Sequence, residues 1–146
     1  YGRIDTVRPE DPTLTFNTIG RHISAIARVR VCSVDSPWMS ACKSGEVYSV
    51  ALSHGEGRFA CSPEMLARLI DNGQVITQYC DLEGHASGSG RCNLNGSVAA
   101  IEGIISPDGR VLGKMGHTER RDADVCVNVP GSYDMPLFES GVKYFL

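Results

Sequence analysis

No apolar run in this 146-residue sequence approaches the ~20 residues that cross a bilayer, and the N-terminal stretch Tyr1 to Asp5 holds no apolar signal core. The expectation is a cytoplasmic protein with no membrane partner. Basic excess is missing as well: 14 Lys and Arg against 17 Asp and Glu leave a net charge of -3, so no positive field awaits nucleic acid. Six cysteines are present, at Cys32, Cys42, Cys61, Cys80, Cys92 and Cys126, but there is no Cys-x-x-Cys pair. Irregular spacing without a secretion signal points to reduced thiols rather than a disulfide framework. A metal site could be drawn from Cys80, His85 and Cys92, yet the glycine-rich stretch from Gly84 to Gly90 offers no rigid ligand pair, and no metal is expected. Repeats are absent. The one low-complexity tract, Ala86 to Gly90, is expected to be a mobile loop.

What is there suits one globular unit. A hydrophobic share of 42% with 21% charged residues is ordinary, and the length is enough for a single core. Ile23, Ala25, Ala27, Val29 and Val31 alternate with Ser24, Ile26, Arg28 and Arg30, a period of two that predicts a strand covered on one face. Val47 to Ser53 predicts a second strand, and Gln74 to Cys80 and Ser97 to Ile105 two more. Pro63 to Asn72 predicts a helix with Met65, Leu66, Leu69 and Ile70 on one face, started by Ser62-Pro63 and stopped by Gly73. Gly103 to Gly113 reads as two short strands around a Pro107-Asp108-Gly109 turn. Asp134 to Phe145 predicts a closing helix capped by Asp134, with Leu137, Phe138 and Val142 inward. Trp38 after Pro37 reads as a packing anchor.

Two segments bear chemistry. Lys114-Met115-Gly116-His117-Thr118-Glu119-Arg120 places an imidazole and a carboxylate two residues apart at a strand exit. That is a base with a group to fix its tautomer, or a solvated turn. Arg120 and Arg121 beyond it either fix Glu119 and steer an acidic partner, or are a solvated pair. Ser53-His54-Gly55-Glu56-Gly57-Arg58 is a turn whose two glycines permit positive φ and main-chain N–H groups open to a ligand, or simply a tight connection. Asn93 and Asn95 read as turn residues. No cysteine sits in a nucleophile elbow. Cys61, ahead of a helix start and near Arg58, comes nearest, but it lacks small residues on both sides.

His54 to Phe59, Asn93-Leu94-Asn95-Gly96-Ser97, Ser106 to Val111, Gly116 to Arg120 and Leu137 to Phe145 occur in the order seen in phosphoribosylformylglycinamidine synthases. From about Leu14 to Phe145 the sequence resembles the glutamine amidotransferase domain at the C-terminus of their long, single-chain form. The resemblance implies an α/β fold of the class I amidotransferase, flavodoxin-like type, of which residues 1–146 would be a single partial domain, the strand-rich C-terminal part. It also implies glutamine hydrolysis through a cysteine thioester. The ammonia would pass to a synthase domain of the same parent chain for ATP-dependent amidation of formylglycinamide ribonucleotide in purine biosynthesis. His117 would take the thiol proton and Glu119 would orient it. Ser53, His54, Gly55 and Glu56 would border the glutamine pocket, with Asn93 and Asn95 beside it. ATP and magnesium would bind elsewhere in the parent chain, with no cofactor site here.

Two departures stand out. Leu94 occupies the place of the family's usual proline, which makes that loop less stiff. The family's cysteine elbow normally precedes the segment that starts at Leu14, and only thirteen residues do so here. The expectation is a truncated domain that is inactive alone. The competing expectation is a non-catalytic interaction or regulatory domain on the same scaffold.

Overall fold

The computed structural model of the chain describes residues 8, 11–122 and 125–146; Tyr1 to Asp5, read above for a signal core, lie outside them. The architecture is mixed α/β. Among the described residues, seven strands and two helices run in the order β1 (Thr13–Thr15), β2 (Ile23–Val31), β3 (Val47–His54), β4 (Arg58–Ala60), α1 (Pro63–Asp71), β5 (Val75–Tyr79), β6 (Ile101–Ile105), β7 (Leu112–Lys114) and α2 (Leu137–Lys143). Five strands form one sheet in the order β3-β2-β5-β6-β7, and β1 pairs with β4 in a separate ribbon. Every ladder is antiparallel.

The alternating pattern forms the longest strand, β2, as expected. Its register sets Ala25 opposite Leu52 and Val29 opposite both Tyr48 and Tyr79. Val29, Val31, Leu52, Ile76 and Tyr79 are sealed in the core, each such large apolar side chain contributing roughly 1.5–3 kcal/mol over its exposed state. The Pro107-Asp108-Gly109 turn joins β6 to β7 as the sequence predicts, with the Gly109 N–H donating to the Ser106 carbonyl at 2.8 Å.

The sheet curls until its ends meet. After β7, at one edge, the chain crosses to the other edge, where the His117 N–H donates to the Ala51 carbonyl of β3 at 2.8 Å. This seam places the residues after β7 beside the strand that ends in His54.

Helix α1 starts as expected, with Ser62 Oγ accepting from the Met65 N–H at 3.2 Å and Pro63 in its first turn. Leu69 is buried but Ile70 is exposed, so the predicted apolar face is narrower by one residue. Helix α2 departs further. Asp134 does not cap it; it pairs with Arg121, and Pro136 stands at the cap position without a side-chain bond. Leu137 faces inward as expected, but Phe138 and Val142 are exposed and Ser140 is buried in their stead. The reason is close approach to Trp38 in the 3-10 turn Pro37–Met39: a side chain at Gly141 would meet the indole at 3.0 Å. Ser140 Oγ meanwhile accepts the Ala41 N–H at 3.0 Å. Small residues form this contact, and the larger ones are left outside. Trp38 is also tied by its Nε1–H to the Arg110 carbonyl at 2.8 Å. The tract expected to be a mobile loop is pinned at its start, where the Ser87 N–H donates to the Tyr79 carbonyl at 3.0 Å.

Candidate active site

The strand exit after β7 brings the predicted pair together. His117 Nδ1 lies 2.6 Å from Glu119 Oε1, and the buried Thr118 between them anchors the segment so that both flanking side chains reach the surface. A carboxylate only accepts, so Nδ1 carries the proton and Nε2 presents the lone pair. Burial pushes the Glu119 carboxyl up. Its own main-chain N–H, the hydrogen bond from His117 and the charges of His117 and Arg120 outweigh that, and the group is held below the ordinary glutamate value. His117 is about one-third exposed at its side chain and Glu119 about half, which leaves the pair open to a reactant. Arg121 pairs with Asp134, a partner the sequence reading did not name.

The pair borders a cleft of about 320 Å³ whose lining includes Trp38, Leu112, Met115, Leu137 and Phe138 but no cysteine. All six cysteines are free thiols. Burial is the leading cause that raises Cys32, Cys42, Cys61 and Cys80 above the ordinary thiol value, which disfavours the nucleophilic thiolate. Among the described residues no three His, Cys, Asp or Glu side chains converge as a metal site.

The glycine turn adjoins this site, because β3 pairs with His117 at Ala51 and ends in His54. Asn17 organises the turn. Its Nδ2 donates to the Arg21 and His54 carbonyls at 2.9 and 2.7 Å, and its Oδ1 receives the Gly57 N–H at 3.3 Å and His54 Nδ1 at 3.0 Å. His54 Nδ1 is therefore the protonated nitrogen, and Nε2 is a buried acceptor with no hydrogen-bond partner. Burial first, and then the neighbouring charges of His22 and His117, hold the His54 pKa below its ordinary value.

The turn differs from the sequence expectation in its chemistry. Neither Gly55 nor Gly57 has positive φ. Gly57 is required instead by close approach, since a Cβ there would sit 2.3 Å from the His54 ring, and its N–H is engaged by Asn17 rather than open to a ligand. Ser53 Oγ reaches His22 Nε2 at 3.4 Å, and Glu56 is exposed.

Asn93 and Asn95 are buried, and their amides are engaged within the protein. Asn93 Nδ2 donates to the Ser97 carbonyl at 2.7 Å, while Asn95 Nδ2 donates to the Gly57 carbonyl at 2.7 Å and to Tyr79 Oη at 3.0 Å. Asn95 thereby holds the glycine turn, and Asn93 holds the Ser97 main chain. The hydrogen bonds of Asn17 were not foreseen, nor was a buried Glu102–Lys114 pair behind His117. The available signal was a lone carboxylate in the apolar run Ile101 to Ile105 and a lone lysine across the hairpin.

Comparison with known proteins gives a family, two relatives and one solved structure. The profile of the CobB/CobQ-like glutamine amidotransferase domain matches residues 2–145. The phosphoribosylformylglycinamidine synthase subunit PurQ of Symbiobacterium thermophilum is 36% identical over 128 residues, which are 88% of this chain and 52% of that protein. The corresponding subunit of Thermus thermophilus is 40% identical over 115 residues, 79% of this chain and 48% of the relative. The chain thus spans about half the length of the curated relatives it matches. The structure of PurLQS from Thermotoga maritima superposes with a TM-score of 0.69 at 24% identity, covering 93% of this chain and 54% of that one, and so shares the fold.

Proposed function

The chain belongs to the CobB/CobQ-like glutamine amidotransferase family, and we propose that it supplies the base and its orienting acid to a glutaminase serving purine biosynthesis. The carrying observation is the 2.6 Å contact that fixes the proton on His117 Nδ1 and leaves Nε2 as the base. In this reading a cysteine thiol from outside the 146 residues gives its proton to His117 Nε2 as sulfur attacks the carboxamide carbon of glutamine. The imidazolium, stabilised by the Glu119 carboxylate, returns that proton to the departing nitrogen. Ammonia leaves and a thioester remains. Water, deprotonated by His117, then releases glutamate and restores the thiol.

Ser53, His54, Gly55 and Glu56 border the glutamine, while Asn95 acts indirectly by holding the Gly57 carbonyl and Asn93 by holding the Ser97 main chain. The ammonia serves the amidation of formylglycinamide ribonucleotide. The matched relatives are subunits of a synthase, which supports a synthase polypeptide as partner. ATP and magnesium belong to that partner, and no residue of this chain is assigned to them. The finer reading, fusion to the synthase in one long cytoplasmic chain, rests on the ordered motifs of the sequence.

The test uses the complete enzyme. His117→Ala should lower glutamine-dependent turnover by several orders of magnitude, as loss of one member of a nucleophile-base unit does, while turnover on ammonium salts persists. Glu119→Gln should be milder, because the base remains. The 146-residue chain alone should release no glutamate from glutamine. Loss of both the glutamine-driven and the ammonia-driven reactions in a folded His117→Ala enzyme would instead make this segment a scaffold between domains.

A further inference from the structure

Behind His117 lies an ion pair that the reaction as written does not use. Glu102 on β6 and Lys114 at the end of β7 meet at 3.1 Å, with side chains 0% and 9% exposed. A buried ion pair is weak evidence for stability, since well-packed apolar residues often replace one at no loss. What apolar residues do not supply is direction. Glu102 Oε2 receives the Thr77 hydroxyl at 2.5 Å, and its Oε1 receives the Gly116 N–H at 2.5 Å. Lys114 Nζ donates to the Gly116 carbonyl at 2.7 Å.

These bonds take both sides of the residue before the base. The Gly116 N–H belongs to the peptide plane shared with Met115, and the Gly116 carbonyl to the plane shared with His117, so the pair fixes two successive planes. The main chain completes the hold: the Met115 N–H donates to the Glu102 carbonyl at 3.1 Å and the His117 N–H to the Ala51 carbonyl at 2.8 Å. Gly116 is the residue that most needs such control, having the widest backbone freedom. No other residue fits there either, since a Cβ would lie 2.5 Å from Val50 and 2.8 Å from Glu102 Oε1.

We infer that Glu102 and Lys114 are positioning residues for His117, a clamp on the Gly116 main chain that aims the imidazole. This rests on the reading of His117 as the base. A shift of about 1 Å in a reacting group costs on the order of a hundredfold in rate, so the clamp acts on kcat rather than on glutamine binding.

The test pairs two readouts. In the chain itself, NMR follows the His117 ring nitrogens and the low-field Nδ1 proton shared with Glu119, with His22 and His85 as internal references. In the complete enzyme, glutamine hydrolysis is resolved into kcat and KM. The double variant Glu102→Leu with Lys114→Met removes both charges together. It should fold, lose or broaden the Nδ1 proton resonance, and lower kcat on the order of 10- to 100-fold with KM nearly unchanged. Glu102→Gln keeps the shape but leaves one acceptor oxygen for the Thr77 hydroxyl, the Gly116 N–H and the Lys114 ammonium, and should move the same resonance by a smaller amount. Should the double variant not fold, Glu102→Gln decides. An unchanged His117 spectrum and kcat in either folded variant would overturn the clamp. Failure of the base assignment reads differently: His117→Ala would retain glutamine hydrolysis, while the NMR effect of the clamp variants persisted.

Discussion

The two histidines near Ala51, one bridged to it and one at the end of its strand, are handled in opposite ways. His117 is given a carboxylate, whereas His54 is given an amide oxygen on one nitrogen and nothing on the other. With its folded pKa depressed by burial, His54 is charged more readily in the unfolded chain. Its contribution to stability is present above the unfolded value near 6.5 and falls away as the pH drops from there through the folded value. Thermal unfolding followed between pH 7.5 and 5 should show a falling midpoint, and His54→Gln should flatten that slope. An equal slope in the variant would place the effect elsewhere. The His117–Glu119 contact was legible in the sequence because a spacing of two residues at a strand exit keeps partners near whatever the fold does. Glu102 and Lys114 were not legible. Each reads as a solitary charge, and only the register of β6 against β7, with Gly103 opposite Lys114, makes them neighbours.

Among the elements, those whose signals are local were legible. Helix α1 has a cap, a proline in its first turn and a glycine stop within its own sequence, and β2 has a period of two broken at Ile26. Helix α2 has none of these. Its inward face is chosen by the contact of Gly141 with the Trp38 ring, a hundred residues away in sequence, and apolar content alone selected Phe138 and Val142. The turn after β3 lies between these cases: its glycines were visible, but the reason for Gly57 is a ring that lies across it. Gly57→Ala should therefore cost about 1–3 kcal/mol by overpacking, read as a lower urea midpoint with an unchanged slope. Gly55→Ala, where nothing lies within 4 Å of the added carbon, should cost much less. Equal effects at the two positions would point to backbone freedom rather than contact with His54.

At the level of the whole molecule, the α/β class and the strand-rich character followed from pattern and resemblance, and the curl of the sheet did not. Curling is a property of the closed ladder, carried by a bulged β5–β6 pairing and by a bond between two edges that no local signal announces. The closed core makes a prediction for the thiols. Cys42 and Cys80, buried by it, should resist a thiol reagent in the native protein while more accessible cysteines react. All six should titrate after unfolding without reductant. A total below six would reveal a disulfide that the structure does not contain.

The seam between His117 and Ala51 also orders events in time. Contacts between residues so distant along the chain form late, because loop-closure entropy must be overcome before they return any energy. A growing polypeptide completes β2, β3 and β5 well before residue 117 has been made. The imidazole thus reaches its place only as the two edges of the sheet meet, and an unfinished domain emerging from the ribosome carries no aimed base.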